Sequence, residues 1–89
     1  MMKIVEGFRL RNVVGQSVVI GEGISQINFN KLITLNESAA YLWQSVEGKE
    51  FDAEVLAGLL IEKYGIDEDL AMKDAEAVLS QWVEVGLVE

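Results

Sequence analysis

The sequence predicts a small α+β domain, a three-stranded antiparallel sheet followed by three helices, in a winged helix-turn-helix-like order. Three observations carry this. The 89 residues are short enough for one domain spanning 1–89 around a single apolar core. The first 35 residues show β-branched alternation punctuated by glycine, whereas the rest shows capped apolar stripes at helical spacing. Charge divides the same way: four basic against three acidic residues up to position 45 give +1, and three against twelve beyond it give −9.

Phe8 and Leu10 alternate with Arg9 and Arg11, the pattern of a half-buried strand over 8–13. Gly15-Gln16 is the economical type II′ hairpin loop before Ser17, Val18, Val19 and Ile20, and Gly21-Glu22-Gly23 ends this second strand. Ile27 and Phe29 alternate with Asn28 and Asn30, then the phase slips at Lys31-Leu32, suggesting a bulge or turn. The third strand is expected at 31–35. Three strands cannot close into a barrel, so an edge stays open near the first helix, guarded by Lys31.

Asn36 is a suitable N-cap for a helix over 37–46, whose Ala39, Leu42, Trp43 and Val46 form one apolar face before Gly48. Asp52 caps the second helix, which runs to Tyr64 with Val55, Leu56, Leu59 and Leu60 inward, and Gly65 stops it. Gly58, unfavourable inside a helix, is expected to pack closely against a neighbour. The third helix starts near Asp67, with Asp67, Glu68 and Asp69 read as capping. Its inward positions are Ala71, Ala75, Val78, Leu79, Trp82 and Val83, and Leu87 and Val88 fold back after Gly86.

Composition removes much chemistry. Without Cys or His there is no disulfide, thiolate zinc site, thiol nucleophile or imidazole base. Paired acids such as Glu50 and Glu54 or Asp67 and Asp69 lack the alternating oxygen ligands of a calcium loop, and Gly21-Glu22-Gly23 lacks the following glycine and helix of a phosphate loop. The expectation is a protein that is not an enzyme and needs no cofactor or metal. No apolar stretch approaches a membrane span, so a cytoplasmic protein without membrane contact is expected. Residues 67–84 hold six acids against Lys73, a net of −5, so a helix there would be repelled by DNA. No nucleic-acid partner is expected.

Leu35-Asn36-Glu37-Ser38-Ala39-Ala40-Tyr41-Leu42-Trp43, then Gly48, then Tyr64-Gly65-Ile66-Asp67, and finally Trp82 to Val88 with its closing Gly86-Leu87-Val88, resemble the PqqD family over about residues 8 to 88. The resemblance implies a RiPP recognition element, a non-catalytic domain that binds the leader of a ribosomally made precursor peptide. Such a domain presents the leader to a modifying enzyme, often a radical SAM protein, in PQQ biosynthesis or a related pathway. By the same resemblance the leader adds as a strand beside the third strand, in the cleft between it and the third helix. The positions that correspond are Lys31, Leu32, Ile33 and Thr34 on the strand, with Lys73, Ala77 and Val78 on the helix. β-Augmentation needs an open edge beside an apolar groove and no reactive side chain, which suits this composition. Arg9, Arg11 and Lys31 leave the sheet able to receive an acidic peptide. The open edge also allows pairing with a second copy, as a homodimer. The alternative is a winged-helix regulatory or protein-interaction domain.

Overall fold

The alternation of Phe8 and Leu10 with Arg9 and Arg11 forms the first of three strands in the computed structural model, which describes residues 1–21 and 32–89. Strands β1 (Phe8–Val13), β2 (Gln16–Gly21) and β3 (Leu32–Leu35) make an antiparallel sheet in the order β1-β2-β3. Leu10 lies opposite Val19, and Val19 opposite Ile33. Cross-strand partners share a face, so Phe8, Leu10, Val19, Ile33 and Leu35 all turn toward the core. Arg9 and Arg11, which alternate with them, turn to the opposite face.

The hairpin differs from expectation by one residue. Val13 pairs with Gln16, so the loop is Val14-Gly15 rather than Gly15-Gln16. Both loop residues have positive φ, 52° and 79°, the signature of type I′ rather than II′. The observed register sets Leu10 against Val19, whereas the expected one would set Leu10 against Gly21 and lose an apolar pair. Asn12 supports the turn by accepting from the Gly15 N–H at 3.2 Å. The cost falls on Val14, a β-branched residue in left-handed backbone and 97% exposed.

The helices follow as expected: α1 (Glu37–Val46), α2 (Ala53–Tyr64) and α3 (Glu68–Glu84). Asn36 Oδ1 accepts from the Ala39 N–H at 2.8 Å and Asp52 Oδ1 from the Val55 N–H at 3.0 Å, satisfying amides that the helices leave unbonded. After α1, Gly48 at φ 78° completes a tight turn closed by the Lys49 N–H on the Val46 carbonyl at 3.0 Å. Asp67 behaves differently. It stands at the N-cap of α3 but its side chain accepts no capping bond, so the Asp67-Glu68-Asp69 triplet acts there through charge on the helix dipole.

At the far end of α3 the Leu87 N–H reaches the Trp82 carbonyl at 2.8 Å and the Gly86 N–H the Val83 carbonyl at 3.1 Å. This Schellman pattern folds Leu87 back, fully buried.

Trp43, Trp82 and Phe51 form the centre of the core. The two indoles meet edge to face at 5.4 Å between centroids, and Phe51 meets Trp82 at 6.1 Å. Among the described residues neither buried indole N–H has an acceptor, so the two rings contribute to the cluster through packing. Three inward expectations are corrected. Val55 (37% exposed) and Val83 (48%) sit at the margins of their stripes, facing solvent. Gly58 is exposed, and a Cβ built on it meets nothing within 4 Å, so no close packing compensates for it.

One feature had no sequence signal. The first residues bridge the end of the chain: the Lys3 N–H donates to the Glu89 carbonyl at 3.0 Å, the Glu89 N–H to Lys3 at 2.9 Å, and the Val5 N–H to Leu87 at 2.9 Å. Met2 and Phe51 exchange two further backbone bonds at 2.7 Å.

Candidate functional site

An edge strand with an adjoining cavity is the feature that can do chemistry without reactive groups. β3 pairs with β2 alone, and among the described residues no strand lies on its other side. In an antiparallel strand alternate residues direct N–H and C=O to one flank, so half of this four-residue strand presents its backbone outward. Ile33 packs on the core, while Thr34 is exposed. The edge is therefore anchored from one face and, among the described residues, unpaired along its side.

Where β3 passes into α1, a cavity of about 410 Å³ opens between α1, α2 and α3. Its floor is apolar: Leu42 and Leu60, both buried, with Ile66 and Val78 partly so. Its polar lining is Asn36, Ser38, Tyr64 and Asp74. The folding of α1 explains part of this rim. Asn36 Oδ1, already capping Ala39, also accepts from the Ser38 hydroxyl at 3.0 Å.

A second cavity of about 540 Å³ lies beside the hairpin turn, lined by Gly15, Gln16, Ser17, Thr34, Leu35, Tyr41 and Lys63 among others. Lys63 Nζ sits 4.8 Å from the Tyr41 ring centroid, and Tyr41 meets Tyr64 edge-on at 6.4 Å. Because Tyr41 lines one cavity and Tyr64 the other, this pair forms the ridge between them.

The expected site residues are dispersed around this arrangement. Leu32 begins β3, with Ile33 and Thr34 following it. Val78 lines the smaller cavity, and Lys73 and Ala77 stand exposed beside Asp74 and Val78 on α3. Lys31 lies outside the described residues, as do the phase slip at 27–31 and the second strand's expected Glu22-Gly23 ending. Arg9 and Arg11 belong to β1, with β2 between them and β3, so they do not border the open edge. Asp74, Tyr64 and Ile66 were not expected; only the convergence of α2 and α3 brings them together. Among the described residues no group of three or more His, Cys, Asp or Glu could hold a metal ion, and no helix is long and apolar enough to cross a membrane.

The family model described as coenzyme PQQ synthesis protein D (PqqD) matches residues 17–88. No curated protein matches the sequence. Among solved structures, "Lasso peptide synthetase B1 complexed with the leader peptide" is similar at a TM-score of 0.74 and 16% identity, covering 99% of this chain and 96% of that one. "TbiB1 in Complex with the TbiA(beta) Leader Peptide" is similar at a TM-score of 0.74 and 17% identity, covering 98% and 94%. At such identities the likeness is one of fold, over nearly the whole of each chain.

Proposed function

This chain belongs to the PqqD family, and from that premise we propose that it binds the leader of a ribosomally made precursor peptide by strand addition along β3. It then presents that peptide to a modifying enzyme, for which a radical SAM protein is the family's leading candidate. The observation that carries the reading is the flank of β3, unpaired among the described residues, with an apolar cavity opening at Asn36 where that strand ends. Backbone pairing supplies affinity and the cavity supplies side-chain selection, so the protein works without a catalytic group, cofactor or metal. The two structural neighbours are described as complexes with leader peptides, which supports the same use of this fold.

In this reading Leu32, Ile33 and Thr34 form the pairing edge, with Lys31 continuing it. Lys73, Ala77 and Val78 face the added strand from α3. Titration with the cognate leader, followed by backbone amide shifts, tests this. Shifts concentrated in residues 31–35 and 73–78 are expected, and a silent β3 at saturation rejects the proposal. A second copy of the chain is the competing occupant of the edge. Sedimentation over a range of concentrations without peptide measures that competition, and leader binding is expected to dissolve any dimer formed through β3.

A further inference from the structure

Among the described residues Asp74 is the one charged side chain lining the small cavity, and it is exposed. Its helical neighbours at i±3 and i±4 are Leu70, Ala71, Ala77 and Val78, so no intrahelical ion pair is available to it. Among the described residues it makes no salt bridge or hydrogen bond, whereas the other short polar side chains of the rim, Asn36 and Ser38, are bonded to each other. Lys63 of α2 lines the larger cavity, its Nζ 4.8 Å from the Tyr41 ring centroid and 6.0 Å from that of Tyr64, and it makes no ion pair with Asp74. Exposed at the rim, Asp74 is solvated by water in the free protein; an ionised carboxylate only accepts hydrogen bonds, so a ligand's cationic donor is the group suited to replace that water. The surrounding α3 segment, at a net of −5, favours a cation there and disfavours an anion.

Resting on the strand-addition reading, we infer that Asp74 sets the specificity of the cleft, selecting a peptide that carries Lys or Arg beside an apolar anchor. In an added strand, side chains two positions apart project to the same face about 7 Å from one another. The apolar one fills the floor formed by Leu42, Leu60 and Val78; the basic one reaches Asp74 at the rim. This differs from the acidic-peptide expectation, which leaned on Arg9, Arg11 and Lys31; the fold places the two arginines on the far strand, and Lys31 lies outside the described residues.

The test is selection from a random decapeptide display library on the full-length protein and on its Asp74→Asn and Asp74→Lys variants. Near-UV circular dichroism from the tryptophan pair confirms that each is folded. The wild type is expected to enrich Lys or Arg two positions from an apolar residue. Asp74→Asn should lose that preference, with about fivefold weaker binding of the selected peptides, and Asp74→Lys should select Asp or Glu instead. Enrichment of peptides with no basic preference, or with one identical in all three proteins, overturns the role of Asp74 while leaving peptide binding intact. If the wild type enriches nothing above the matrix, the strand-addition reading itself fails and the inference with it.

Discussion

The sheet and the helices of this protein treat their backbone ends in opposite ways. α1 and α2 begin on side-chain caps, and α2 and α3 are followed by glycines in left-handed backbone whose own amides bond back to the last turn. The sheet, by contrast, stops at a four-residue strand whose outer flank has no partner among the described residues. Unpaired backbone groups are a hazard where they are accessible, and this edge, unpaired among the described residues, is where the proposed peptide would add. Closure in the helices fixes the elements that line the cavity, whereas β3 keeps one flank unpaired among the described residues.

The most severe way to break this contrast is to remove what holds both halves together. Trp82→Ala deletes the ring that contacts both Trp43 and Phe51 and should cost about 4 kcal/mol. Loss of a cooperative transition in urea denaturation, or a midpoint near zero, is the expected outcome. Next come the caps: Asn36→Ala should destabilise by about 1 kcal/mol, because the Ala39 amide loses its acceptor. Asp67→Ala should lose only about 0.3 kcal/mol, since no capping bond is broken. Equal losses at the two positions would mean that charge rather than hydrogen bonding sets these helix starts.

Two substitutions should raise stability, one in each half. Val14→Asn puts a residue tolerant of positive φ into the type I′ turn, and a gain of about 1 kcal/mol in unfolding free energy is expected. Gly58→Ala should add a little less, about 0.8 kcal/mol, because the new methyl meets open space and improves helix propensity. Thermal unfolding resolves both. A loss at Gly58 would show that the helix there depends on flexibility.

The helix boundaries were legible because their signals are local. Asn36, Asp52 and Gly65 each act within four residues of themselves, and the structure uses all three as the sequence suggests. The hairpin loop was not legible to the residue, since both candidate registers keep Leu10 and Val19 on the core face. Only the cross-strand pairing of those two side chains decides between them. Val55 and Val83 follow the apolar period yet sit at stripe margins that depend on how α2 and α3 cross. The same dependence hid the cavity: Leu42, Tyr64 and Asp74 come from three helices, and no spacing along the chain announces that they converge. The open edge could be anticipated from strand count alone; its chemical preference could not.

The bridge between Lys3 and Glu89 has a kinetic consequence. Pairing residues that far apart closes a loop containing almost the entire chain, at an entropic cost on the order of 4 kcal/mol, so these bonds form after the rest has condensed. Contacts absent from the folding transition state act on the unfolding rate instead. The terminal clasp is thus a brake on opening: weakening it should shorten the lifetime of the native state while leaving the speed of folding nearly unchanged.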